Sequence, residues 1–233
     1  METTKKKVLT RRAEIGAERR ARSRLQILRA SVELFGSEAG ANVRLQEVCE
    51  SAGVSHGTFY NHFSSMSELA QTVCEELSRE FDASVNVAIR TIDDPAEQSA
   101  AALRYYLHAT RHNPEWGWAM VNTALGPTFF GPTIHRNSHI VIQYGIDAGR
   151  FDLDADLARD VLLGALFTGM HRLLSGPTPD GYCEAVVERI LRALGMPPAR
   201  AADTARRRLP PLPSPALDEQ VIVPMPSLQM PAG

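Results

Sequence analysis

An all-α fold is what this sequence predicts: a small three-helix head, a larger helical body and a proline-rich tail. Three observations carry that expectation. Apolar residues recur at three- and four-residue spacing along most of the chain. The segments so marked are divided by helix caps and breakers, among them Gly53, Ser65, Asp94-Pro95, Asn113-Pro114, Asp154 and Ser175-Gly176-Pro177. No stretch reads convincingly as a strand, and no internal repeat is present. At 233 residues the chain can build one small and one medium core.

Residues 1–22 form a basic arm. Met1 to Phe35 carries ten Lys or Arg against four Glu, and the remainder fifteen basic against twenty-three acidic residues. All three lysines are Lys5, Lys6 and Lys7. Such an arm before an acidic remainder suits phosphate binding at one end of the molecule, or is simply a solvated tail.

Residues 23–70 form the head. Leu25, Leu28, Val32 and Phe35 make one amphipathic stripe, widened by Ile27 and Leu34. Leu45 to Ala52 is a second, short helix with Leu45, Val48, Cys49 and Ala52 apolar. Gly53 can take the left-handed conformation that ends it. Val54 plugs the space between helices, and Ser55 is a good N-cap for the next. Phe59 and Phe63, at i and i+4, give that third helix a face to bury. His56, Thr58 and Asn61 give it a polar front. A helix entering a DNA major groove needs this arrangement: apolar anchors behind, hydrogen-bonding groups in front, backbone near phosphate. Asn61 has the groups for adenine, His56 a donor for guanine, and Thr58 a methyl for thymine. Ser65-Met66-Ser67-Glu68 has capping-box form and opens a fourth helix through Leu69, Val73 and Leu77 to about Ile89.

The window from Ile27 to about Leu77 closely resembles the DNA-binding domain of the tetracycline-repressor (TetR) family. Ile27, Ala30, Leu34, Phe35, Val48, Ala52-Gly53-Val54-Ser55, Gly57-Thr58, Tyr60, His62-Phe63 and Glu68-Leu69 carry the likeness. It implies a bacterial regulator that binds double-stranded DNA as a homodimer and answers to a small-molecule effector. It also implies Tyr60 and His62 as phosphate or sugar contacts, so that Arg44, Ser55, His56, Gly57, Thr58, Tyr60, Asn61 and His62 form the DNA-binding set. The sequence departs from the family where Ala39-Gly40 replaces a glycine and an aromatic, where Val43-Arg44 replaces a Thr pair, and where Met66 replaces a lysine. Asn42 is the expected substitute cap for the second helix, and Arg44 the substitute phosphate contact.

Residues 71–196 are read as the effector-binding and dimerisation domain. Asp94-Pro95-Ala96-Glu97 opens a helix to about His112 and Asn113-Pro114-Glu115 the next. Gly126-Pro127 and Gly131-Pro132 punctuate before a helix through Ile140 to Gly149, and Asp154 opens another. Tyr106, Trp116, Trp118, Met120, Phe129, Phe130 and Tyr144 gather large side chains here. They read either as core packing or as walls of a small-molecule cavity, and the resemblance favours the cavity for some of them. Val161 to Met170 is apolar almost all round and must be covered on more than one side. With Asp180 to Leu194 it is expected to form a four-helix dimer seam through Val161, Ala165, Leu166, Gly169, Leu173, Val186, Ile190 and Leu194. Residues 197–233, with nine prolines and no helical period, read as a disordered tail.

Other chemistry is thinly supported. Cys49, Cys74 and Cys183 stand apart without C-x-x-C, so neither a zinc ribbon nor a disulfide framework is expected, and a reduced cytoplasm fits. His108 and His112, and His135 and His139, are i, i+4 pairs able in principle to bind a metal, but no acid or cysteine completes a triad and no metal is assigned. No hydrolase elbow, Walker loop or dinucleotide fingerprint is present, so no cofactor and no enzymatic activity is expected. No apolar run suits a membrane span. The alternative reading is a helical ligand-binding or enzymatic protein whose DNA head has lost function.

Overall fold

The computed structural model describes residues 2–125 and 130–213. Among the described residues ten helices follow in order: α1 (Glu2–Phe35), α2 (Leu45–Ala52), α3 (His56–Tyr60), α4 (Met66–Ile89), α5 (Pro95–His112), α6 (Pro114–Ala124), α7 (Gly131–Asp147), α8 (Ala155–Leu174), α9 (Tyr182–Ala193) and α10 (Pro198–Arg206), with a 3₁₀ turn over Glu38–Asn42. No strand occurs among the described residues. The basic arm is the first part of α1, continuous with the head's first helix.

The caps explain the boundaries. Ser55 accepts the Thr58 N–H, Asp94 those of Ala96 and Glu97, Asn113 that of Trp116, and Asp154 those of Asp156 and Leu157. Two expected caps are corrected. Asn42 ends the 3₁₀ turn and does not cap α2; Arg44 is the N-cap residue, and its backbone N–H donates to the Glu47 carboxylate at 2.8 Å. That bond is the glutamate half of a capping box; a guanidinium cannot accept, so the half the lost threonine's hydroxyl would supply is absent. At α4, Ser65 accepts from Glu68 N–H as expected, but the Glu68 carboxylate reaches past Ser65 to the N–H and hydroxyl of Ser64.

The head packs α1, α2 and α3 around Ile27, Leu28, Val48, Phe59 and Phe63, all buried. The body packs α8 between α5, α6, α7 and α9. That explains why Val161 to Met170 is apolar almost all round, and it puts part of the expected dimer seam inside one chain. Leu166, Gly169, Ile190 and Leu194 are buried within a single chain. Gly169 is small because a Cβ there already meets Leu107 and Val186 at 3.3 Å. What α8 leaves toward solvent is a different stripe: Leu157, Gly164 and Thr168 exposed, with Val161 and Ala165 half-buried. Leu173 and Val186 are also half-buried.

The expected tail is corrected as well. Residues 198–206 form α10, which buries Ala201, Thr204 and Ala205 against α9 and α5. The chain beyond it is strapped to α5: Arg104 donates to the Arg207 carbonyl, Tyr105 to the Pro210 carbonyl, and Arg207 pairs with Glu97. Leu209 and Leu212 pack on the core. The rest of the expected tail, 214–233, lies outside the described residues.

Candidate nucleic-acid interface and effector cavity

The head presents α3 from a braced platform. Gly53 sits at φ 64° and ψ 35°, the left-handed region that reverses the chain between α2 and α3 without a Cβ penalty. The Phe59 and Phe63 rings lie 5.7 Å apart behind α3, and the Arg24 guanidinium stacks 5.3 Å over Phe63. Against this backing, Arg44, Ser55, His56, Gly57 and Asn61 are exposed, and Tyr60 is 57% exposed despite its aromatic ring. An aromatic held in water with its hydroxyl outward suits a backbone contact better than a core role. Thr58 is half-buried, and its hydroxyl shares a hydrogen bond with Ser55 at 2.9 Å. Asn61 is the C-cap residue of α3 and stands at the end of its front. His62 is turned inward: its Nε2 meets Ser23 Oγ at 2.7 Å. Burial, with Arg24 and Arg20 nearby, pushes its imidazole below the ordinary histidine pKa, which favours the neutral ring at pH 7. A neutral half-buried ring braces α3 against α1, a role distinct from the phosphate contact that the resemblance implies.

Both α4 and α6 join the head to the body, α6 by packing on α1 and on the 3₁₀ turn. One link is α4, which runs unbroken from Ser65 beside α3 into the body. The other, α6, carries Asn122, whose amide donates to the carbonyls of Phe35 at 2.9 Å and Ser37 at 2.8 Å. This satisfies the Phe35 carbonyl left over at the end of α1 and adds a second donor to the Ser37 carbonyl, which already accepts from Gly40 N–H. Gly40 is required there, since a Cβ would stand 2.6 Å from the Asn122 amide and 2.5 Å from the Phe35 carbonyl.

The body holds a cavity of about 290 Å³ between α4, α5, α6, α7 and α8. Its floor is apolar: Leu103, Met120, Leu162, Leu163, Leu166 and Phe167. Its rim is polar: Asp82 and Asn86 from α4, Ser99 and Tyr106 from α5, Asn137 and Ser138 from α7. Asp82 accepts from the Tyr106 hydroxyl at 2.6 Å and the Asn137 amide at 3.3 Å. Burial pushes the Asp82 carboxyl above the usual range, while these two hydrogen bonds pull it back down. The Tyr106 phenol is raised, first by burial and then by Asp82.

Of the residues expected to line such a cavity, Tyr106 and Met120 do so. The others named for it stand elsewhere, except Phe129, which lies outside the described residues. Trp116 is buried against the Phe81 and Tyr106 rings, one layer behind the wall. Trp118 packs edge-on against His171, Phe130 packs on Phe167, and Tyr144 is 51% exposed. The aliphatic floor and the polar rim were not foreseen. A carboxylate on the same helix as the apolar stripe Val73, Leu77 and Phe81 was the one available signal, at Asp82.

The remaining chemistry is structural. All three cysteines are free and buried, and burial pushes the thiols up, to about 12 for Cys74 and about 11 for Cys183. No group of three or more His, Cys, Asp or Glu among the described residues is placed to hold a metal ion. His108 instead lies 3.5 Å from Glu184, which also accepts from Arg104 at 3.0 Å. No helix among the described residues is long and apolar enough to cross a membrane.

Comparison with known proteins agrees with this arrangement at both ends. A curated regulator of helix-turn-helix type from Mycobacterium tuberculosis, itself uncharacterised, is 29% identical over 104 residues, 45% of this chain and 48% of that protein. The regulator BetI of Brucella abortus is 26% identical over 92 residues, 40% of this chain and 46% of its own. The chain thus spans about half the length of the curated relatives it matches. Among solved structures, RolR in complex with resorcinol superposes with a TM-score of 0.65 at 27% identity, covering 84% of this chain and all of that one. A tetR-family regulator from Shewanella shares the fold at a TM-score of 0.60 and 18% identity, over 74% of this chain and 97% of that one. Residues 27–73, the braced head, match the family described as bacterial regulatory proteins, tetR family, and residues 94–207, the cavity and its supports through α10, match the tetracyclin repressor-like C-terminal domain; the chain belongs to the TetR family of transcriptional regulators.

Proposed function

We propose that this protein is a ligand-responsive transcriptional repressor that binds a palindromic operator as a homodimer, acts in the cytoplasm and is not an enzyme. One observation carries the reading: α4 starts just after the recognition helix, packs on α1 of the head, and supplies Asp82 and Asn86 to the cavity rim. A molecule in the cavity therefore bears on the element that positions the reading head. It shifts DNA binding only by its differential affinity for the two head positions. RolR, similar over most of this chain, holds resorcinol, which supports a compact effector here. A cavity of about 290 Å³ is of the size that takes one small ring compound.

The exposed front of α3 is the reading surface, with Asn61 and His56 at base edges and Tyr60 and Arg44 on the backbone. Two such helices about 34–36 Å apart would address successive major grooves. The subunits meet through the outward stripe of α8 (Leu157, Val161, Gly164, Ala165, Thr168), next to Ile140 and Tyr144, which α7 leaves exposed. The basic start of α1 supplies counterion release. The test is selection of DNA from a random pool by the purified protein, with and without candidate ring compounds. A palindromic site whose occupancy falls steeply with salt is the expected result; recovery of unselected sequence would sink the proposal. Gly164→Glu tests the seam, because a side chain fits there within the subunit. It should give monomers by sedimentation, and dimers of wild-type stability would place the seam elsewhere.

A further inference from the structure

The hydrogens of the cavity rim are largely spent inside the protein. Ser99 Oγ donates to the Pro95 carbonyl at 2.8 Å, and Ser138 Oγ to the Ile134 carbonyl at 2.7 Å. The Tyr106 hydroxyl donates to Asp82 Oδ1 and the Asn137 amide to Asp82 Oδ2. Each hydroxyl has one hydrogen to give, so what Ser99, Ser138 and Tyr106 still offer is oxygen lone pairs. Asp82 accepts at both oxygens, the pattern of the ionised form, and a carboxylate has lone-pair sites to spare beyond those two. The remaining donors are the Asn86 amide and the second Asn137 hydrogen. Both residues are exposed at the mouth, where water competes.

Charge points the same way. No Lys, Arg or His is among the described residues that line the cavity. The outer vestibule shares Asp82, Asn86 and Asn137 with it and adds Glu75 and Glu76. Among its described residues the guanidinium is that of Arg79, exposed and paired with Glu76. The described lining thus sets three carboxyl groups against one guanidinium, a balance unfavourable to an anion.

We infer that the cavity selects by hydrogen-bond donors: it takes a compact, uncharged or cationic molecule with an apolar body and a hydroxyl- or amine-bearing edge, and it rejects carboxylates. The apolar body rests on Leu103, Leu162 and Phe167, and the donor edge points at Asp82, Tyr106 and Ser138. Asp82 is the specificity-determining residue. This deepens the effector reading above and rests on it.

The test uses the full-length protein and calorimetric titration of four matched probes: resorcinol, 3-aminophenol, 1,3-dimethoxybenzene and 3-hydroxybenzoate. The first two keep two donor groups, the third keeps the ring and oxygens without donors, and the fourth replaces one donor by an anion. Resorcinol and 3-aminophenol should bind, and the other two more weakly by on the order of tenfold or more, the worth of about one good hydrogen bond. Asp82→Asn should weaken resorcinol and narrow its preference over 3-hydroxybenzoate, because the new amide offers a donor where a charge stood. The comparison of probes on the unaltered protein needs no variant to fold. Binding of 3-hydroxybenzoate or 1,3-dimethoxybenzene as tight as that of resorcinol overturns the inference, and so does binding of none of the four. Operator selection without ligand is read separately, so failure of this selectivity is distinguishable from failure of the DNA-binding reading.

Discussion

In the head, polar groups face water from a buried aromatic backing; in the body, polar groups gather around an open-mouthed cavity. Phe59 and Phe63 stand behind His56, Tyr60 and Asn61, all within one short stretch of chain. The cavity rim is collected from α4, α5 and α7, and its central hydrogen bonds join residues 24 and 55 positions apart. A local device keeps its shape whatever the rest of the chain does. A device assembled from separate helices changes when those helices shift, which is what a responsive site needs.

Four measurements would break or sharpen this contrast. The largest effect belongs to Phe59→Ala. Removing a fully buried ring should cost about 3–5 kcal/mol, nearly all of it in the head. Operator binding should vanish in gel shift while probe binding to the cavity persists; loss of both would show that head and body fold as one unit. Next, Asn61→Ala should relax preference at one operator position by about 1–3 kcal/mol of discrimination, whereas Tyr60→Ala weakens all sequences alike. A selected sequence pattern unchanged by Asn61→Ala would move the reading role to another residue.

The third concerns the body's own stability. His108 and Arg104 hold the Glu184 carboxyl down to about 2, against an ordinary 4.5. The unfolded chain therefore binds the proton more readily. The stability Glu184 contributes is full above pH about 4.5 and is lost as pH falls toward 2. Glu184→Gln should lower stability at pH 7 by about 1–2 kcal/mol, after allowing for partial exposure of the pair, and flatten the acid limb of a denaturation series. An unchanged acid limb would mean that the Arg104–Glu184 pair holds α5 and α9 together no better than an uncharged pair. The smallest effect is the most selective. Asn122→Ala removes the side-chain link between α6 and the end of α1. Affinities for operator alone and for probe alone should stay within a few-fold, while the coupling between them falls by about 1 kcal/mol. Equal coupling in both proteins would leave the coupling to α4 and to the packing of α6 on α1.

Legibility in the sequence follows the same division. Ser55, Ser65, Asp94, Asn113 and Asp154 act on N–H groups two or three residues away, so their roles can be read from neighbours alone. The cavity cannot, because nothing near Asp82 in the chain points to Tyr106 or Asn137. The aromatic cluster misled in a physical way: Trp116 found ring partners in Phe81 and Tyr106 and went into the core, leaving the wall mostly to aliphatic side chains beside Tyr106 and Phe167. The expected dimer seam drew on a similar signal, and an all-round apolar helix is satisfied as well by its own chain as by a partner. Helix α10 escaped notice because it buries only Ala201, Thr204 and Ala205, too small to write an apolar stripe.

The unbroken run of α4 has a mechanical consequence. From Asp82 back to Met66 the rod is about 24 Å long at 1.5 Å per residue. Pivoted at the rim, a tilt of about 10° carries its far end through about 4 Å, a displacement comparable to one turn of an α-helix. The same rotation applied to two reading heads changes their spacing by a substantial fraction of a groove width. In the proposed dimer a guest the size of a single ring would need to move Asp82 hardly at all: leverage, supplied by the length of one helix, would convert a small tilt at the rim into a missed register on DNA.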